Sequence, residues 1–382
     1  MSEEDPWDGA EYALAADRLD TPDVIAAADP GDMLRQVASA AAQVRTALRA
    51  CAEADLAAVT SDTRPRAVIA AGMGASGTAG DILGAMCGAA SPVQVVTLRA
   101  AQLPGWAGAA DMVIAVSSSG TTAETLAVAT EAARRGCRLV AVGAEGSPLH
   151  RIAEQARGIF IPAGVTAGAP GQAVLPRQSL WALTVPLLVI AERLGILSVG
   201  AEVYEQAAEQ LAEVSNQCRP VSESFVNPGK SLALDLDGAL PLLWGTSPLS
   251  GVVAARFACQ LHENAKYPAI AGVLPEAVHN QLGIFDGPFV PGPASLDPAA
   301  GFTPLRLVLI SDQDSRESAA ISELAARRGI AVSELAMAGQ HALVRLAAVI
   351  QLTDYASVYL GIAFGIDPGQ ADAIRDMPAR IE

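Results

Sequence analysis

The stretch Asp111-Met-Val-Ile-Ala-Val-Ser-Ser-Ser-Gly-Thr-Thr-Ala-Glu-Thr-Leu126 decides the fold. Its apolar run, Met112 to Val116, reads as a buried strand. A turn dense in hydroxyls follows, Ser117 to Thr122, and then a helical pattern from Ala123 to Arg135. A strand that hands over to a helix through short hydroxyl side chains builds an anion site. The first-turn amides lack intrahelical partners, and the helix dipole favours negative charge there. No Lys or Arg lies in the turn, so the expected ligand is a phosphate held by neutral donors. That points to a phosphorylated metabolite.

Working outward, Arg66 to Ala71 is a second strand, followed by Gly72-Met-Gly-Ala-Ser-Gly-Thr-Ala-Gly-Asp81 and a helix to about Gly88. Val93 to Leu98 and Leu139 to Gly143 complete a strand–helix alternation, which predicts an α/β fold with a mostly parallel, doubly wound sheet flanked by helices. Ile152 to Phe160 leads into a Gly/Pro/Ala loop, Pro162 to Pro176, and helices are expected over Gln178–Leu194 and Val203–Gln217. The second half repeats the first. Leu240 to Gly245 and Leu305 to Ser311 read as strands, Ser250 to Asn264 as a helix, Val332 to Leu335 as a short strand and Leu343 to Gly361 as a long apolar helix. There the hydroxyl turn has become Asp312-Gln-Asp, which repels phosphate, so one phosphate site per chain is expected, with the two copies forming a shared cleft. Three segments follow: an acidic, irregular N-terminal arm over 1–30, a first phosphate-binding domain over 31–220 and a second domain with C-terminal helices over 221–382.

Composition narrows the function classes. With 382 residues, 51% of them hydrophobic, the chain can bury two cores. A formal net charge of −16 argues against nucleic acid. Five cysteines (51, 87, 137, 218 and 259), without CxxC spacing, indicate neither a disulfide framework nor a zinc knuckle and fit a reducing cytoplasm. The start, Met-Ser-Glu-Glu-Asp-Pro, has no signal pattern, and runs such as Leu180 to Ile190 are too short to span a bilayer. No membrane association is expected.

Gly72-Met-Gly-Ala-Ser-Gly paired with Ser-Ser-Ser-Gly-Thr-Thr-x-Glu-Thr resembles the sugar isomerase (SIS) domain, a phosphosugar-binding fold. Six further pieces stand in the order found in the bifunctional phosphoglucose/phosphomannose isomerase family. They are Leu175-Pro-Arg-Gln, Asn227-Pro-Gly-Lys-Ser-Leu-Ala, His262-Glu-Asn-Ala-Lys266, Pro275-Glu-Ala-Val-His-Asn280, Asp354-Tyr-Ala-Ser-Val-Tyr-Leu360 and Gly365-Ile-Asp-Pro368. The resemblance covers residues 35 to 375 and implies two SIS-type subdomains.

By that resemblance, Ala75, Ser76, Ser117, Ser119 and Thr122 hold the substrate phosphate, with Ala75 replacing a usual Gly. Interconverting an aldose and a ketose phosphate requires a base near C1 and C2, a group that opens the ring and a cation that steadies the enediolate. The resemblance assigns these to Glu263, His279 and Arg177, with no cofactor and no metal, in a homodimer whose His279 serves the neighbour's active site. Taken singly, Ser76 and Ser117 also suit helix capping, and Glu263 a surface pair with Lys266. His262 and His341 read as packing or solvent-facing residues. One departure stands out. The family's C-terminal Lys falls at or near Pro378, no lysine follows Lys266, and Arg375 or Arg380 could replace charge but not proton exchange. Two functions therefore stay open: an aldose–ketose isomerase for glucose 6-phosphate or mannose 6-phosphate, and a phosphosugar-binding protein, a sensor or partner in mannose metabolism, that has lost catalysis. A nucleotide site ranks third, because no acidic ribose partner follows the strand after the Gly-rich turn. The Pro/Gly-rich segment Gly283 to Pro304 is longer than the family leads one to expect.

Overall fold

The computed structural model describes residues 16–60, 64–163, 175–290, 303–312 and 316–372. In chain order the first part holds α1 (Ala16–Leu19), α2 (Pro22–Ala28), α3 (Met33–Ala38), α4 (Ala40–Glu53), β1 (Ala67–Ala71), α5 (Ala75–Cys87), β2 (Gln94–Leu98) and β3 (Met112–Ser117). There follow α6 (Ala123–Arg134), β4 (Arg138–Gly143), α7 (Pro148–Gln155), β5 (Ile159–Pro162), α8 (Leu180–Arg193), α9 (Ala201–Gln217) and α10 (Pro228–Asp235). The remainder holds β6 (Leu240–Gly245), α11 (Pro248–Gln260), β7 (Ile270–Val273), α12 (Glu276–Asn280), β8 (Leu305–Ser311), α13 (Arg316–Arg327), β9 (Ala331–Ala336) and α14 (Ala342–Ala363).

Two compact units result. One comprises Ala38–Ala212 with Gln340–Ala347, the other Met1–Val37, Glu213–Gly339 and Ala348–Glu382. In the first, all strand pairs are parallel and the order is β2-β1-β3-β4-β5. Every residue of β1 and β3 is buried, as a sheet with both faces covered demands. Ile69, Val113, Ala115, Val128, Ala129, Ala141 and Leu149 centre its core. At the N-terminal edge of β3, Arg66 grips the fully buried Asp111 through Nε at 2.9 Å and Nη2 at 2.6 Å. Burial works to raise the Asp111 carboxyl; the Arg66 bonds and the Gly108 N–H outweigh it and hold it below its usual range.

The second unit repeats the plan with β7-β6-β8-β9, again all parallel. Trp244, Leu307, Leu309, Phe285 and Ala325 form its core, with Trp244 Nε1 donating to Gln281 Oε1 at 2.7 Å. This unit also buries charge. Arg256 on α11 meets Asp354 on α14 through Nε at 3.0 Å and Nη2 at 2.6 Å, and Lys230 Nζ donates to the Pro220 and Ser222 carbonyls. The Asn227-Pro-Gly-Lys motif thus serves the fold: Asn227 caps α10 while Lys230 ties the preceding loop down. α14 has the length and apolarity to cross a bilayer, yet nearly all of its most apolar window is buried inside the protein, as for a core helix.

The fold class agrees with the sequence reading; several details differ. Within the stretch expected to be irregular, α1 and α2 form, and Leu19 and Ile25 are buried. This segment groups with the second unit. Arg18 Nη1 donates to the Ala363 carbonyl (3.2 Å), Ser224 N and Oγ donate to Asp20, and Gln351 Nε2 donates to the Val37 carbonyl (2.9 Å). Helix α7 and the edge strands β5 and β7 were not anticipated, because Ile-Phe-Ile-Pro and Ile-Ala-Gly-Val are too short for a period to register. Residues 164–174 of the loop, 291–302 of the Pro/Gly-rich segment, and Arg375, Pro378 and Arg380 lie outside the described residues.

Candidate functional site

Strand order 2-1-3-4-5 reverses direction between β1 and β3. In such sheets the crevice beyond the carboxyl ends of those two strands is where ligands bind. β1 opens there into Gly72-Met73-Gly74 and α5; β3 opens into Ser117 to Thr122 and α6.

Neither helix N-terminus at this crevice carries a side-chain cap, and in α5 the Ser76 N–H donates to the Met73 carbonyl at 3.0 Å. Gly74, the N-cap of α5, has no side chain to cap with, and Thr122, the N-cap of α6, makes no side-chain cap bond. Instead, Thr122 Oγ1 turns onto Ser117 Oγ at 2.9 Å, and the Gly120 N–H donates to Ser117 Oγ at 3.1 Å. Ser119 Oγ lies 2.8 Å from Thr121 Oγ1. Elsewhere α7, α10 and α11 close their own first turns with Ser147, Asn227 and Ser247. The first turns of α5 and α6 thus lack side-chain caps, as do those of α2, α4 and α8. Ala75 opens α5 and is not among the residues with positive φ, so replacing the family Gly there creates no strain.

The turn is held rigidly from behind. Leu149 N–H at the start of α7 donates to the Gly120 carbonyl at 3.1 Å. Gly120 has φ +66°, and a Cβ there would fall 2.1 Å from Ser147 Oγ, so no other residue fits. On the far side, Ser118 Oγ donates to Ser179 Oγ at 3.3 Å, which brings the short 3₁₀ turn Pro176–Gln178 beside the hydroxyl turn. Arg177 lies in that 3₁₀ turn and is 8% exposed.

One contributor escaped the sequence reading. Gln43, on α4, donates Nε2 to the Gln178 carbonyl at 2.7 Å and accepts the Ala182 N–H at 3.3 Å through Oε1. A single amide thereby fixes the segment on both sides of Ser179. No periodicity or motif marks Gln43, because its partners lie more than 130 residues away in sequence.

Ser76, Ser117, Ser119, Thr122 and Arg177 therefore gather in the first unit; Glu263 and His279 belong to the second. Glu263 sits in a single π-helical turn, Leu261–Ala265, that prolongs α11 and ends at Lys266 in the left-handed region (φ 56°, ψ 29°). The turn is anchored where Asn264 Nδ2 donates to Ser357 Oγ of α14 at 2.9 Å. Such π turns are rare and recur at functional sites. Glu263 is half-buried. Lys266 Nζ donates to the Glu263 carbonyl and to the Gln370 carbonyl, both at 2.6 Å. His279 is exposed on α12, which follows the cis Leu274–Pro275 peptide. His262 is exposed and accepts the Ala269 N–H at 3.3 Å, and His341 accepts the Leu343 N–H at the start of α14. Among the described residues, no three His, Cys, Asp or Glu side chains are grouped to hold a metal.

Residues 225–381 match the family described as bacterial phospho-glucose isomerase C-terminal SIS domain. The chain resembles the bifunctional phosphoglucose/phosphomannose isomerases. That enzyme of Caldicellulosiruptor bescii is 28% identical over 308 residues, 79% of this chain and 85% of its own length. A D-glucosamine-6-phosphate 4-epimerase of Sulfolobus acidocaldarius is 27% identical over 217 residues, 56% of this chain and 62% of the relative. Among solved structures, the C-terminal domain of a glucosamine-fructose-6-phosphate aminotransferase from Francisella tularensis superposes with a TM-score of 0.62 at 17% identity, covering 88% of this chain and 98% of that one. At that identity the likeness speaks for the fold: two parallel sheets flanked by helices, as in SIS proteins.

Proposed function

We propose that the protein is an aldose–ketose isomerase that interconverts glucose 6-phosphate or mannose 6-phosphate with fructose 6-phosphate. The observation that carries the proposal is the pair of uncapped helix N-termini, α5 and α6, flanking a hydroxyl cluster at the switch point. Two helix N-termini without side-chain caps and several hydroxyls suit a phosphate's three oxygens and two charges. The resemblance to bifunctional isomerases supports extending this from binding to chemistry.

In this reading Glu263 removes the C2 proton of the open-chain aldose, electrons move to the C1 carbonyl oxygen, and an enediolate forms. The hydroxyl proton on O2 then passes to O1, the C2–O electrons close into a carbonyl, and Glu263 returns its proton to C1; the ketose results, with atoms and charge balanced and no redox partner. Arg177 steadies the enediolate oxygen as charge develops, and its place in a turn braced by Gln43 suits a cation that must not move. His279 assists ring opening. An exposed position on a short helix suits contribution to a neighbouring copy, and a homodimer is part of the proposal.

A second reading has a sequence observation behind it: proline at or near the family's C-terminal lysine position, Pro378, suggests a phosphosugar-binding protein without turnover. One experiment separates the two. Purified protein is given fructose 6-phosphate without added metal, and glucose 6-phosphate and mannose 6-phosphate are measured by coupled assay. The isomerase reading expects turnover that falls ~10²–10⁴-fold in Glu263→Gln. Calorimetric binding of the sugar phosphate with no turnover in wild type establishes the second reading instead.

A further inference from the structure

The turn sequence supplies no cation of its own, yet the fold brings one to the first turn of α5. Arg99 immediately follows β2, the neighbour of β1, and its backbone is locked to the Gly-rich turn because Gly72 N–H donates to the Leu98 carbonyl at 3.1 Å. Its side chain lies across Gly77. A Cβ on that residue would fall 2.7 Å from Arg99 Nε and 2.9 Å from the Gly72 carbonyl oxygen. Only a residue without a side chain lets the guanidinium rest on the helix beside Ser76 while the Gly-rich turn passes on the other side. Asp81, further along α5, grips the guanidinium from behind: Nη1 donates to Oδ1 at 3.1 Å and Nη2 to Oδ2.

We propose that Arg99 is a phosphate-binding cation of the first unit, seated on α5 by Gly77 and oriented by Asp81. The inference rests on the phosphosugar reading of that crevice and adds a charge to it. Three observations favour this role over a stabilising one. A half-exposed ion pair contributes little to stability, and this pair is 42% and 29% exposed on its two side chains. The remaining donors of the cradle are neutral hydroxyls and amides, whereas a sugar phosphate approaches with about two negative charges a protein whose own net charge is −16. A fixed guanidinium with free edges matches phosphate oxygens, and holding it by one carboxylate removes the freedom it would lose on binding.

The test is calorimetric affinity for glucose 6-phosphate, with unphosphorylated glucose as control, at 50 and 200 mM salt. Arg99→Ala is expected to weaken sugar-phosphate binding ~10–30-fold and to flatten its salt dependence. Arg99→Lys is expected to restore part of both. Asp81→Asn releases the guanidinium while keeping it charged, and is expected to bind within threefold of wild type or tighter. Thermal melting confirms that each variant is folded. If Arg99→Ala binds within twofold of wild type while Ser76→Ala loses affinity, the role of Arg99 is overturned and the crevice reading stands. Equal losses in Asp81→Asn and Arg99→Ala also overturn it, since the pair would then act as a strut. Wild-type protein that binds no sugar phosphate overturns both.

Discussion

The two sheets present the same switch point twice, and the two crevices are finished in opposite ways. Beyond β1 and β3 the helix N-termini carry no side-chain cap, and the hydroxyls of Ser117 and Thr122 bond one another without a carboxylate in the turn. Beyond β6 and β8 the corresponding groups are consumed internally. Ser247 and Ser250 form a capping box on α11, Ser247 Oγ donates to Asp312 Oδ2 at 3.1 Å, and Asp312 N–H donates to Thr246 Oγ1 at 3.2 Å. A carboxylate already stands where the first crevice would receive an anion. Topology thus supplies a place for a ligand, and a few side chains decide whether that place is open.

The largest effect expected from breaking this contrast is a transplant. Ser119→Asp puts a carboxylate at an exposed position of the open turn, copying the second crevice without disturbing buried Ser117. Sugar-phosphate affinity should fall by at least ~100-fold, close to 3 kcal/mol. Titration calorimetry on the folded variant measures it, and retained affinity would mean the phosphate is held elsewhere.

A mid-sized effect concerns what the units bury. The second unit encloses Asp29, whose carboxylate oxygens accept the Met33 N–H at 2.7 Å and the Leu34 N–H at 3.0 Å at the start of α3. Burial pushes this carboxyl up from 3.8 to about 6, against the pull of those two bonds. The folded protein therefore holds the proton more tightly than the unfolded chain does. Its contribution to stability is complete below about pH 4 and is lost as pH rises through 6. In Asp29→Asn this pH dependence should vanish, so the stability difference between variant and wild type should shift by about 2 kcal/mol in the variant's favour from pH 4 to pH 7. Urea unfolding across that range tests it; parallel curves would contradict it.

The smallest effect is expected at Asp312. Replacing it by Asn keeps a partner for Ser247 and leaves the capping box in place, so stability should change by less than ~1 kcal/mol. The number of sugar-phosphate molecules bound should stay at one per chain. A second bound molecule would show that the carboxylate alone had been closing the second crevice.

Legibility followed burial and length. β1, β3, β6 and β8 were readable because strands covered on both faces need uninterrupted apolar runs, and the Ser117–Thr122 turn was readable because hydroxyls cluster there against that background. β5 and β7 were not, since four-residue edge strands carry too little pattern. The helices of the acidic N-terminal segment were not readable, because the partners that order them, Ser224, Lys230 and Ala363, lie about 200 and 345 residues away. The π turn bearing Glu263 is invisible in composition: it arises where α11 must meet α14 while Asn264 reaches Ser357.

By itself, the sequence determined the parallel α/β plan, its duplication and the chemical character of each crevice, since these depend on local runs and on which side chains follow each strand. Only the tertiary structure decided which groups stand guard at the open crevice. Gln43 bracing the Arg177 turn, Arg99 resting on Gly77 and the acidic N-terminus joined to the second unit all depend on contacts between segments distant in the chain. Such pairings arise from packing in three dimensions, and a hydrogen bond across 135 residues leaves no period in the sequence to be read.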